Sequence, residues 1–181
     1  MHFIVYDLEA TCWPNRPPSL QQEIIEIGAY KLGPGGEELG EFERLVRPVV
    51  HPMLSPFCRE LTGIEQPDVN AADRWPVVCE AFLEFIGLYD GEEYVLASWG
   101  DWDHRQLRKD SRLHDLPEDW VTREINVKRQ YAEINRLKKP WGLAKTVRKE
   151  GFEWDGDQHS ALDDAYNLAK VFRAHIDEWV Y

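Results

Sequence analysis

The stretch FIVYDLEAT, residues 3–11, decides how the rest of this chain is read. Phe3, Ile4, Val5 and Tyr6 form an apolar run rich in aromatic and β-branched residues, the pattern of a buried strand. Two carboxylates, Asp7 and Glu9, follow at once. Side chains alternate faces along a strand, so these two share a face at roughly 7 Å. Like charges held that close repel and cost stability. An arrangement that costs stability needs a reason, and the reason lies in acids elsewhere in the chain.

The chain has 181 residues, 43% hydrophobic with eight Trp, enough for the core of one domain, read as residues 1–181. No run approaches the roughly 18 apolar residues of a membrane helix, so no membrane partner is expected. The N-terminus has no basic stretch and small-residue cleavage site of the secretory kind. Cys12, Cys58 and Cys79 form neither a CxxC pair nor an even-numbered framework. They read as reduced thiols of a cytoplasmic protein. A net charge of −12 argues against a protein that coats phosphates generally. Residues 121–150 nevertheless hold nine basic residues against three acidic, a local balance of +6. An acidic body with one basic stretch can still meet a polyanion locally.

A second apolar run, EIIEIGAYKL at residues 23–32, follows a Pro-rich loop from Trp13 to Pro18. The turn GPGG at 33–36 and the alternating LGEFERLVRP at 39–48 complete a three-strand meander. Pro48, Pro52 and Pro56 mark an irregular connection, after which residues 76–88 carry helical periodicity behind Pro76. EYVLASW at 93–99 reads as a fourth strand, with helices near 102–114, 126–136, 141–150 and 161–178. Three strands followed by alternating helices and strands predict one α/β domain on a mixed sheet.

The further acids sit at element ends. In WGDWDHRQL, residues 99–107, Asp101 suits a helix N-cap, whereas Asp103 lies one turn before Leu107 and points toward the packed side. In HSALDDAYNLAKVF, residues 159–172, Asp164 shares a helical stripe with Ala161, Leu168 and Val171 and faces inward. Asp163 shares one with Asn167 and Lys170 and is expected to face water. Unpartnered inward carboxylates are expensive, and no matching set of Lys or Arg occupies the same strand ends. Divalent cations answer the need: hard oxygen ligands from separate elements suit Mg²⁺ or Mn²⁺. His159 stands five residues before Asp164, where a neutral imidazole is placed to take a proton from an attacking water.

DLEAT, GDWD and HSALDD resemble the three exonuclease motifs of the DEDDh (DnaQ-like) 3′→5′ exonucleases. EIIEIGAY, LTGI at residues 61–64 and SWGDWD are similar to the Eri-type subgroup, whose members act on RNA 3′ ends. The resemblance implies a ribonuclease H-like mixed five-stranded sheet flanked by helices. It implies Asp7, Glu9, Asp103 and Asp164 as ligands of two Mg²⁺ ions, with Mn²⁺ able to substitute, and His159 as general base. Two such cations about 4 Å apart would explain why Asp7 and Glu9 tolerate each other. Ala10, Thr11, Leu61 and Trp102 are then the expected contacts to the terminal nucleotide, Trp102 by stacking on a base. The partner implied is nucleic acid with a free 3′ end, RNA preferred, released as 5′-mononucleotides. A DNA exonuclease of repair or proofreading type is the alternative, and an inactive binding module is disfavoured because none of the five residues is missing.

Overall fold

The computed structural model describes residues 1–15, 20–121 and 124–181. Part of the predicted loop from Trp13 to Pro18, and Arg123 of the basic stretch, lie outside those residues. Strands β1 (His2–Ala10), β2 (Ile24–Leu32) and β3 (Glu38–Leu45) form the antiparallel meander. Helices α1 (Pro56–Thr62), α2 (Gln66–Ala71) and α3 (Trp75–Phe85) precede β4 (Tyr94–Ser98), which is parallel to β1. Helix α4 (Asp101–Leu113), strand β5 (Glu124–Asn126) and helices α5 (Val127–Ile134), α6 (Leu143–Lys149) and α7 (Ala161–Ala174) complete the chain. The sheet order is β3-β2-β1-β4-β5, a mixed five-stranded sheet as the family resemblance implies. No described helix is long and apolar enough to cross a membrane.

The alternation along β1 divides the core in two. Ile4, Tyr6 and Leu8 pack on the side of α3 and α4, with Trp75, Phe82 and Leu107. Phe3 and Val5 pack on the other side, with Val127, Val147, Leu168 and Phe172 of α5, α6 and α7. Asp7 and Glu9 continue the second set by the same period of two, which aims them at the face α7 covers.

Several expectations change, among them the last helix, expected to reach 178 and ending at Ala174. Helices α1 and α2 occupy what reads as irregular chain: Ser55 caps α1 by accepting from the Cys58 N–H, and both helices start with Pro in their first turn. The helix expected from 126 begins one residue later, because residues 124–126 pair with β4 as a short strand. Asp101 is not an N-cap: Gly100 holds that place, and Asp101 accepts a 2.6 Å hydrogen bond from Asn126 Nδ2.

Candidate active site

β1 and β4 run parallel, so their carboxyl ends open on the same crevice, the usual location of a site in such a sheet. A cleft of about 350 Å³ lies there, lined by Asp7, Glu9, Asp103, His159 and Asp164. β1 supplies Asp7 and Glu9, with a register shift against β2 at Glu9/Ala10. Bulges of this kind re-aim side chains beside functional sites. Asp103 sits in the first turn of α4 and Asp164 in the first turn of α7. Both helices therefore direct their partially positive N-termini at the acids.

That compensation is incomplete. Burial, then the neighbouring Asp103, Asp164 and Glu9, raises the Asp7 carboxyl well above its usual range. Glu9 is pushed up to about 9, first by burial and then by Asp164, Glu26 and Asp103. Asp103 rises to about 7 through burial, partly offset by backbone hydrogen bonding. Asp164 rises to about 6 for the same leading reason, with His159 pulling it back. Asp164 Oδ1 is buried without a hydrogen-bond partner among the described residues. A buried carboxylate oxygen without a partner is costly, and a cation is one partner that would satisfy it. Glu9, His159 and Asp164 each place a ligand atom within 4.8 Å of one another. The carboxylates offer hard oxygen donors, which fit a small divalent cation.

His159 is half exposed, with Nδ1 at 3.8 Å from Glu9 Oε1. Its backbone adopts φ of 67°, a left-handed conformation that a β-carbon disfavours. The turn is held by the His159 N–H donating to Asp164 Oδ2 at 3.3 Å and by Ser160 capping α7. The segment before it runs back along α7. Asn167 donates to the carbonyls of Asp155 and Asp163, and the Asp157 N–H donates to Asp163. The stripe expected to face water is thus covered, and Asn167 is wholly buried.

Of the expected substrate contacts, Ala10, Leu61 and Trp102 line the cleft. Thr11 is turned away: its hydroxyl accepts from the Glu23 N–H at 3.0 Å and it is only 1% exposed. Gln22, Cys12 and Trp99 also line the cleft. Trp99 directly follows β4 in a motif whose acids draw the attention. His104 is directed elsewhere, 3.2 Å from Glu124.

β2 seats α7. Gly28 pairs with Asp7, and a β-carbon on Gly28 would come within 2.2 Å of the Leu162 backbone nitrogen. Glu26, opposite Glu9, accepts from the Ala161 N–H at 2.9 Å. The signal for both is in the sequence, as an acid and a glycine interrupting the run EIIEIG.

A ribonuclease H-like mixed sheet with carboxylates from β1, α4 and α7 in one crevice defines the exonuclease class. The chain belongs to the Exonuclease (RNase_T) family, which it matches across residues 4–172. It is 34% identical over 179 residues to ERI1 exoribonuclease 3 of Homo sapiens, covering 95% of this chain and 52% of that protein. The chain thus spans about half the length of that relative. It superposes on the nuclease domain of 3′hExo, a DEDDh family member bound to rAMP, with a TM-score of 0.90 and 30% identity. That match covers 97% of this chain and 92% of that one. The 3′-exonuclease in a structure of histone mRNA stem-loop 3′-end recognition gives 0.91 at 29% identity, covering 98% and 84%.

Proposed function

We propose that the chain is a metal-dependent 3′→5′ exonuclease that releases 5′-mononucleotides from single-stranded 3′ ends, with RNA preferred. The single observation that carries this reading is the convergence of Asp7, Glu9, Asp103 and Asp164 in one cleft with His159 at its mouth. Those four carboxylates would hold the cations, Mg²⁺ in the cell with Mn²⁺ able to substitute. Bound cations would supply charge neutralisation and Lewis acidity at the phosphodiester. His159 accepts the proton of the attacking water, its ring standing free enough to do so at 50% side-chain exposure. Water oxygen bonds to phosphorus, the bond to the 3′ oxygen of the penultimate nucleotide breaks, that oxygen takes a proton from solvent to become the new 3′ hydroxyl, and the terminal nucleotide departs as a 5′-monophosphate. Trp102 and Leu61 bound the space for the terminal base, and Ala10 leaves room for its sugar. Thr11 serves by holding the end of β1 to Glu23 rather than by touching the nucleotide.

The RNA preference draws on the exoribonuclease named among the relatives and on the stem-loop and rAMP of the two solved structures. Residues 1–181 act as one exonuclease unit. The cytoplasmic assignment rests on three free cysteines. The test is incubation of the full chain with matched 5′-labelled single-stranded RNA and DNA, with Mg²⁺ or with chelator. Stepwise shortening of RNA faster than DNA, stopped by chelator, is expected. No shortening under any divalent cation would overturn the reading.

A further inference from the structure

The cations of this acidic protein fall into two groups. Over the body of the fold many are matched to carboxylates, Lys31 with Glu92, Arg59 with Glu65, Arg105 with Asp101, Arg108 and Arg112 with Glu118, Lys170 with Asp155, and Arg173 with Glu38, while the unmatched Arg44, Arg47, Arg74 and Lys109 are scattered along the chain. Between residues 129 and 149 the unmatched cations are concentrated. Arg129, Arg136, Lys138, Lys139, Lys145, Arg148 and Lys149 are all exposed. Among the described residues none of these seven forms an ion pair with a carboxylate. In a chain with 33 acids against 21 bases, chance pairing would have neutralised some of them. Exposed like charges left together repel one another, and the field they make attracts a polyanion.

The placement of the last three joins this stretch to the cleft. Lys145, Arg148 and Lys149 stand at spacings of three and four on α6, opposite the buried Thr146 and Val147, so they share one face. Helix α6 packs on α7, whose first turn carries Asp164. Trp99 of the cleft wall lies 6.3 Å, ring to ring, from Tyr131 of α5, and the Tyr131 hydroxyl donates to Glu150 at the end of α6. Trp141, half-buried in the same apolar cluster as Trp99, carries Lys145 Nζ at 4.2 Å above its ring. An aromatic surface edged by unpaired cations suits a flexible single strand, which offers bases to stack and phosphates to neutralise. The other flank of the cleft is unsuited: the groove beyond Ser160 is lined by Glu26, Glu43, Asp68 and Asp73 with Arg44 as its one cation.

We propose that the face built by residues 129–149 is a track for the substrate strand, binding phosphates several nucleotides on the 5′ side of the scissile end. This rests on the exonuclease reading above. The track makes affinity depend on strand length, whereas the cleft alone handles the terminal nucleotide.

The test compares the full chain with the triple variant Lys138→Gln, Lys139→Gln, Lys145→Gln, and with Arg59→Gln, Lys109→Gln as a control for lost surface charge. Binding of a fluorescent 20-nucleotide single-stranded RNA is read by anisotropy in chelator, across a salt series, and turnover is read on that RNA and on a dinucleotide. The expected result is at least a tenfold loss of 20-mer affinity in the triple variant. Its salt slope should fall by about 2, since each phosphate contact to a single strand contributes about 0.7. Dinucleotide turnover should match the unmodified chain, and the control variant should lose less than threefold in affinity. Equal losses in the two variants, or a loss that extends to the dinucleotide, would overturn the track. Failure of the unmodified chain to hydrolyse either substrate would instead sink the exonuclease reading, and the chelator binding data would still judge the surface.

Discussion

Glu26 accepts a hydrogen bond from the Ala161 N–H at 2.9 Å, across 135 residues of chain. With Gly28 two positions on, it fixes where α7 begins and therefore where Asp164 stands relative to Asp7 and Glu9. Gly28→Ala would set a methyl group 2.2 Å from the Leu162 nitrogen and 2.3 Å from the Ala161 carbonyl carbon. Both are backbone atoms of a packed helix, so the helix must shift. Overpacking of this kind costs about 1–3 kcal/mol, and displacement of Asp164 should lower turnover more than tenfold. Gly40→Ala is the control, because its nearest neighbour would be Phe85 Cε2 at 3.6 Å, an ordinary contact. Melting temperature and turnover of the two variants, measured together, test the seat.

Glu9 gives the pH dependence. Its carboxyl titrates near 4.5 when unfolded and is pushed up to about 9 in the fold, chiefly by burial and then by Asp164. Between those values the folded state holds a proton that the unfolded chain releases, so this group lowers stability as pH rises. The slope is at most about 1.4 kcal/mol per pH unit. Glu9→Gln removes it. Without metal, the melting temperature of Glu9→Gln minus that of the unmodified chain should therefore grow from pH 5 to pH 9, while turnover is lost. A difference that stays constant or shrinks across that range would refute the electrostatic account of Glu9.

His159 carries two separable costs. His159→Ala keeps a β-carbon at a φ of 67° and should lower turnover about 10²–10⁴-fold, the usual share of a general base. His159→Gly should be equally inactive yet more stable than His159→Ala by about 1 kcal/mol, because glycine accepts the left-handed backbone. Calorimetric Mg²⁺ titration decides the role. Retained affinity in both variants marks a base, and lost affinity would make the imidazole a ligand alongside Glu9 and Asp164.

Asp101 and Asp103 are two residues apart on α4 and differ in burial. Asp103 is 7% exposed and lines the cleft, whereas the Asp101 side chain is 57% exposed and bonds Asn126. Asp103→Asn should abolish turnover with the fold intact. Asp101→Asn should leave turnover within about threefold, because Asp101 does not line the cleft. Steady-state rates for both proteins settle the assignment, and the reverse order would transfer the role to Asp101.

Much of this arrangement is legible in the sequence because it follows strict periods. The period of two along FIVYDLEA puts Asp7 and Glu9 on one face, and the helical period of residues 161–174 puts Asp164 inward. What escapes is set by contacts distant in sequence. Asn167 reads as a solvated residue on the wheel but is covered by the 152–158 segment, which no local pattern announces. Thr11 follows the acids like a substrate contact, yet its hydroxyl is committed to Glu23 across the hairpin. Strand β5 is three residues long, too short to show alternation, and exists through its pairing with β4. Helices α1 and α2 are only seven and six residues long, and Pro56 reads as part of an irregular connection although it stands in the first turn of α1, where the missing N–H costs nothing.

The proposed function requires the carboxylate cleft to remove nucleotides one at a time from a free 3′ end. Its most direct measurement sets a linear single-stranded RNA beside a covalently closed circle of the same sequence, with Mg²⁺, and identifies products by chromatography against Asp164→Asn as the inactive control. The expected products are 5′-mononucleotides from the linear strand, none from the circle, and none from either with Asp164→Asn. Cleavage of the circle by the unmodified chain, or release of 3′-phosphorylated products, would contradict it.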